Sequence, residues 1–172
     1  LDPIEDSLVR IETIVADMLE LMQQETNLSE TQSVNLEQIV QSAWSSVVTE
    51  EVEVQVVDSI RFEADETRLK QAFENVFRNA IEHGGDTLST IRVGTLDSEG
   101  FYIEDDGTGI PDSIRDELFE WGTTTTSAGT GLGLAIVNEI VTAHGWEITV
   151  ASSSSGGARF EITGINVQNS AE

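Results

Sequence analysis

The chain predicts an α/β (α+β) fold, a two-layer sandwich in which helices cover one face of a mixed β-sheet, with one long helix in front. Three patterns carry this expectation. Leu69, Ala72, Phe73, Val76, Phe77, Ala80 and Ile81 form an unbroken apolar stripe at the spacing of one helix face. Val52, Val54 and Val56, then Trp146, Ile148 and Val150, then Ala158, Phe160 and Ile162, alternate as half-buried strands do. A largely apolar helix over 132–144 precedes the last two of these strands, so helices and strands can pack as layers on one core. At 172 residues with 38% apolar content, one such domain and an appendage account for the length.

The first element is a helix over 4–24. Ile4, Leu8, Ile11, Val15, Met18 and Met22 recur at alternating spacings of four and three, the seam of a coiled coil or helix bundle, and Ile14, Leu19 and Leu21 widen it. So apolar a face needs a partner: a second copy in a bundle, or the chain's own globular domain. Glu25–Val34 is polar and aperiodic and reads as a linker. Leu36, Ile39, Val40, Ala43, Trp44 and Val47 trace the next helix, Val52–Val56 the first strand, and Ile60–Phe62 a short one. Asp65 is placed to cap the helix of 66–83, which Gly84-Gly85 stops. Strands follow near 90–96 and 100–105, the second delivering Asp105 to its end. Pro111-Asp112-Ser113 opens a short helix, where Ser113 and Asp116 can form a capping box. A Thr- and Gly-rich loop, Trp121–Gly131, leads into the helix of 132–144. Ser152–Gly157 joins the last two strands, and 165–172 reads as a frayed tail.

Charge narrows the class. Thirty-two acidic residues against eight basic ones leave a formal charge of −24, spread along the chain without long runs. Such self-repulsion is tolerated in concentrated salt, where the screening length falls to about 3 Å at 1 M, which points to a halophile's cytoplasm. With no basic stripe to neutralise phosphates, nucleic-acid binding is disfavoured. The absence of Cys removes disulfides, thiolate metal sites and Cys nucleophiles, and two His residues make a conventional Zn site improbable. The chain opens on Leu1 with no signal-peptide pattern and reads as a stretch of a longer protein, leaving membrane anchoring of the parent open.

Chemistry concentrates in three segments. Asn75, Asn79 and His83 lie at i, i+4 and i+8 on the edge of the apolar stripe, and two carboxamides so spaced can set side-chain oxygens on one Mg²⁺. In Asp105-Asp106-Gly107-Thr108-Gly109-Ile110 a carboxylate at a strand end is followed by glycines that permit close backbone approach, an arrangement able to accept a hydrogen bond from an exocyclic amine. Asp106 reads as an exposed neighbour. Gly129-Thr130-Gly131-Leu132-Gly133-Leu134 runs into a helix, so its backbone N–H groups can cradle an anion. It is no dinucleotide fingerprint, because a loop and not a strand precedes it, and no Gly-Lys-Ser/Thr is present to make a P-loop.

Taken in order, these segments resemble the asparagine box and two glycine boxes of the ATP-binding domain of sensor histidine kinases, a superfamily shared with gyrase, MutL and the heat-shock chaperone ATPases. The resemblance covers about residues 36–162, with a fainter match over 1–30. It implies ATP and Mg²⁺ as cofactors, with Asn79 on the metal, Asn75 at or near the phosphates, and Asp105 reading adenine. Gly107 and Gly109 make the turn, Ile110 lines the base pocket, His83 stacks near adenine, and Gly129, Thr130, Gly131, Leu132, Gly133 and Leu134 hold the phosphates. Trp121–Ala128 becomes the lid, and Phe119 and Trp121 resemble the phenylalanine box at its base. Where hydrolytic relatives carry a glutamate that activates water, position 75 is a carboxamide that cannot take a proton, so transfer to a protein acceptor is favoured over hydrolysis.

Two departures stand out. Many relatives carry a cation near position 82 or in the lid, where this chain has Glu82 and uncharged residues; Arg78 is the candidate replacement, with a surface ion pair as its alternative role. That implies weak nucleotide affinity, or affinity that depends on Mg²⁺ and salt. The family's phosphoacceptor motif, His-Glu/Asp-Leu-Arg-x-Pro, is absent; His144, before Gly145, reads as a helix C-terminal cap. The resemblance therefore implies three segments: 1–28 as the second helix of a dimerisation bundle, 29–164 as the catalytic domain, and 165–172 as tail. The implied partners are ATP, a phosphoacceptor helix outside this chain, a response regulator, and a second copy through residues 4–24. Rival readings are a hydrolytic ATPase of the same superfamily, a nucleotide-free interaction module, and a Ser/Thr kinase of the anti-sigma type.

Overall fold

The computed structural model describes residues 3–23, 30–47, 51–97, 99–117, 119 and 133–168. Among the described residues, four α-helices, α1 (Pro3–Gln23), α2 (Leu36–Trp44), α3 (Glu66–His83) and α4 (Gly133–Ala143), and a short 3-10 helix (Asp112–Glu117) accompany eight strands. The strands are β1 (Gln32–Asn35), β2 (Glu53–Val56), β3 (Arg61–Ala64), β4 (Thr90–Leu96), β5 (Gly100–Asp105), β6 (Glu147–Ser152), β7 (Ala158–Thr163) and β8 (Val167–Gln168). A five-stranded sheet runs β2-β4-β5-β7-β6. Only the β2–β4 pair is parallel, so the sheet is mixed, as expected.

The two main helices owe their positions to the apolar stripes. Leu69, Ala72, Phe73, Val76, Phe77 and Ala80 of α3 are buried, as are Leu134, Ala135, Ile136, Val137, Ile140 and Val141 of α4. Both helices share a core with the inward strand residues Ile91, Val93, Phe101, Ile103, Phe160 and Ile162. At its centre Phe101 stacks on Phe73, with ring centroids 5.3 Å apart, and on Phe62 at 5.9 Å, while Trp146 meets Phe62 edge-on at 5.7 Å. Asp65 caps α3 as its position predicted, its Oδ1 accepting from Arg68 N at 3.3 Å.

Two expectations are corrected. The polar stretch ending at Val34 is not all linker, because its last residues form β1, which pairs antiparallel with β3 and turns Val34 into the core. Nor does a frayed tail begin at 165. Ile165 is buried and donates its N–H to Glu99 O at 3.1 Å, and β8 pairs with the other side of β3, completing a small sheet of order β1-β3-β8. Both strands are too short and too polar for periodicity to reveal. Their stability comes from main-chain pairing with β3, which alternation within 32–35 or 165–168 does not encode.

α1 is a helix as predicted and touches the domain at α4, with Ile14 packed on the core. Ile4, Leu8, Ile11, Val15 and Met18 stay exposed. No helix among the described residues is long and apolar enough to cross a membrane.

Candidate functional site

The site begins where β5 ends. Asp105 is 9% exposed, and its Oδ1 accepts two backbone hydrogen bonds, from Gly107 N at 2.9 Å and Ala158 N at 3.2 Å. Its Oδ2 accepts none among the described residues. Burial raises the pKa of this carboxyl, the hydrogen bonds from Gly107 and Ala158 lower it, and neighbouring Asp106 and Glu104 raise it again; the net direction is upward. The group is thus a half-satisfied acceptor held in one orientation, ready for a donor.

The turn after it is pressed against the end of α3. A Cβ on Gly107 would lie 2.7 Å from Gly84 O, so only glycine fits. Thr108 N donates to Gly84 O at 3.0 Å and Thr108 Oγ1 to His83 O at 3.1 Å. Gly109 takes φ +81° and lies against Gly156 of the β6–β7 turn. The second carboxylate is no idle neighbour. Asp106 Oδ1 accepts from Ser89 N at 2.7 Å and Thr90 N at 3.1 Å, and Oδ2 from Ser89 Oγ at 2.5 Å, fastening the turn to the start of β4. Burial pushes its pKa up, but these hydrogen bonds outweigh burial and hold it below the ordinary value.

The asparagine helix meets this turn at its C-terminal end, through His83 and Gly84. Asn75 is 5% exposed and its Nδ2 is a buried donor without a hydrogen-bond partner among the described residues, a costly state that a ligand oxygen would relieve. Asn79 and His83 are half-buried one and two turns further on. Arg78 is half-exposed and faces Glu74, Nη2 to Oε2 at 3.6 Å. Ile110 is half-buried on the core, and Phe119 meets Phe160 edge-on with centroids 6.3 Å apart. Gly133 and Leu134 open α4, which packs along α3, with Leu134 buried. Gly129, Thr130, Gly131 and Leu132, the lid of 121–128, and the side chain of Asp116 in the expected capping box lie outside the described residues.

A profile of the family described as histidine kinase-, DNA gyrase B- and HSP90-like ATPase matches residues 64–166, more than half of the chain. The chain belongs to this ATPase family. Among curated relatives, sporulation kinase E of Bacillus subtilis (strain 168) is 31% identical over 98% of this chain and 24% of its own length. Sporulation kinase A of the same strain is 29% identical over 94% of this chain and 28% of its own length. The chain therefore spans only about a quarter of these proteins. Among solved structures, the catalytic domain of histidine kinase ThkA superposes with a TM-score of 0.64 at 26% identity, over 77% of this chain and 93% of that one. The matched region begins at Ala64, beside the α3 cap, and closes past β7, so it contains every site residue named above.

Three features of this ATPase domain escaped the sequence patterns. Ser153, 7% exposed, donates from Oγ to Asp105 O at 2.7 Å and accepts from Gly157 N at 2.9 Å. Gly157 admits no side chain, since a Cβ there would come within 2.2 Å of Asp105 O. His144 does more than cap α4. Its Nδ1 bonds Ile140 O at 2.8 Å, its Nε2 accepts from Asp65 N at 3.0 Å, and its ring stacks on Trp146 at 4.2 Å. No motif marked Ser153 or Gly157 beyond their Ser/Gly-rich turn, and the capping role read for His144 did not extend to Asp65 or Trp146.

Proposed function

We propose that the chain is the catalytic ATP-binding region of a two-component sensor histidine kinase, passing the γ-phosphoryl of ATP·Mg²⁺ to a His on a helix outside this stretch. Asp105 carries the reading: a buried carboxylate with one oxygen pinned by two N–H groups and the other left for a donor. The adenine amine supplies that donor, whereas a carbonyl at the same ring position would face acceptor to acceptor. Ile110 and His83 flank the base, and the backbone N–H groups of Gly129–Leu134 take the phosphates.

The residues present suit a magnesium–phosphate group. No cluster of three or more His, Cys, Asp or Glu forms a metal site among the described residues, so the oxygen of Asn79, phosphate oxygens and water are the fitting ligands. Mg²⁺, when bound, neutralises phosphate charge that this acidic chain does not. The orphaned Asn75 carboxamide can donate to a phosphate oxygen or, turned over, present its oxygen to the metal. It cannot deprotonate water, which favours transfer to a protein acceptor. Neither His of the chain suits the acceptor role: both ring nitrogens of His144 are engaged, and His83 sits beside the base. Catalysis is then positioning and charge neutralisation.

In the same reading α1 is a bundle helix whose exposed Ile4, Leu8, Ile11, Val15 and Met18 pack on a second copy, a response regulator receives the phosphoryl group, and the acidic surface suits a salt-rich cytoplasm. A fluorescent ATP analogue titrated at about 2 M KCl, a screening salt, with and without Mg²⁺, tests it. Saturable, Mg²⁺-dependent binding that falls roughly tenfold or more in Asp105→Asn is expected. Equal affinity in the variant, or no binding to folded protein, refutes it.

A further inference from the structure

Asp105 is oriented from two sides, by Gly107 N of its own turn and by Ala158 N at the end of the β6–β7 turn. The Ser153 hydroxyl stands at the centre of that turn, donating to Asp105 O and accepting from Gly157 N, while Ser153 N donates to Gly157 O at 2.8 Å and Gly156 N to Ser153 O at 3.0 Å. The next N–H along the chain, that of Ala158, is one of the two that pin Asp105 Oδ1. The fit is tight enough that a Cβ on Gly157 would strike both Asp105 O and Oδ1, and one on Gly109 would strike Gly156 O.

From this geometry we infer that Ser153 is a specificity-positioning residue for the base: by tying the β6–β7 turn to the main chain of Asp105, it sets the Ala158 N–H that aims Oδ2 at an exocyclic amine. The inference rests on the reading of Asp105 as the adenine acceptor. Removing the hydroxyl leaves a buried carbonyl and a buried N–H each short of a partner. The turn then shifts to recover them, Ala158 N withdraws from Oδ1, and the carboxylate, left with Gly107 N alone, can tilt about that single bond. A direct contact with nucleotide is not part of the role, so Ser153 acts on discrimination between bases more than on the phosphate interactions that ATP and ITP share.

The test is the ratio of ITP to ATP dissociation constants, measured in high salt with Mg²⁺ for wild type, Ser153→Ala, Asp105→Asn and the double variant. ITP carries a carbonyl where ATP carries the amine, so it offers Oδ2 no donor at that ring position. Wild type should prefer ATP by roughly ten- to a hundredfold, the span of one hydrogen bond to a charged acceptor. Ser153→Ala should lose most of that preference while ITP affinity stays within about twofold, and should add nothing to the ratio in the Asp105→Asn background. A purely structural role would weaken ATP and ITP alike and add in both backgrounds; that result overturns the inference. Full ATP preference in Ser153→Ala, alongside its collapse in Asp105→Asn, would overturn it as well while leaving the adenine reading standing. No preference in wild type would overturn both.

Discussion

His144→Phe isolates the link between the two principal helices. Ile140 O can only accept and Asp65 N–H can only donate, so the imidazole must be neutral with its proton on Nδ1. Phenylalanine keeps the stack on Trp146 and removes both hydrogen bonds. The Ile140 carbonyl retains the backbone N–H of residue 144 at 3.2 Å, so its loss is small. Asp65, only 3% exposed, loses its imidazole acceptor at the first turn of α3, and a buried donor deprived of its acceptor costs about 1–3 kcal/mol. The total, about 2 kcal/mol, should lower the urea midpoint by about 1 M. Acidity supplies a second signature. Burial depresses the His144 pKa most; the Ile140 bond and the Asp65 charge raise it, Arg68 lowers it, and it ends below the ordinary 6.5. The unfolded chain therefore takes up the proton first. The stabilisation is complete above the unfolded value and is lost as pH falls from there through the folded one. Denaturation of wild type and variant between about pH 7.5 and 5.5 should show their difference shrinking with acidity. A difference that is negligible at pH 7.5, or constant across the range, refutes the argument.

Three further outcomes follow from the same structure. Asn75→Leu removes the orphaned buried Nδ2 and should raise nucleotide-free stability by about 1–3 kcal/mol while abolishing nucleotide binding, as denaturation and titration would show. Asp105→Asn should be at least as stable as wild type at neutral pH. The folded pKa is raised, so the stabilising state is the protonated one, present below the ordinary 3.8 and lost as pH rises through the folded value; the variant's advantage should vanish in acid. Raising KCl from about 0.1 M to 2 M should increase the melting temperature markedly, since a −24 chain repels itself within the screening length; a flat response would exclude charge repulsion as a major term.

Much of this was legible because it is periodic or punctuated. The stripe from Leu69 to Ala80 could only be one helix face, and the glycines after Asp105 could only be a turn brought close to other backbone. What stayed hidden depends on residues far apart in the chain. Nothing near Ser153 says that its hydroxyl will reach a carbonyl 48 positions earlier, and nothing near His144 names Asp65 as partner. Asp106 departs from an exposed neighbour for a related reason: strand alternation turns the two carboxylates to opposite sides, one to the pocket and one to Ser89, 17 positions earlier. Asn75 was placed on an edge, and the helix carries it further inward than its amide would choose without a ligand.

The three-stranded sheet has a consequence for how the protein is made. β3 is its middle strand, yet β8 comes from the end of the described chain, with Arg61 facing Gln168 across the ladder. A polypeptide emerging from the ribosome can lay β1 against β3 early, but the other edge of β3 must wait until nearly the whole domain has been synthesised. During that wait Phe62 and the unpaired main chain beside it form an open template for another nascent chain. Closure by β8 is among the most non-local steps in folding, and so among the slowest.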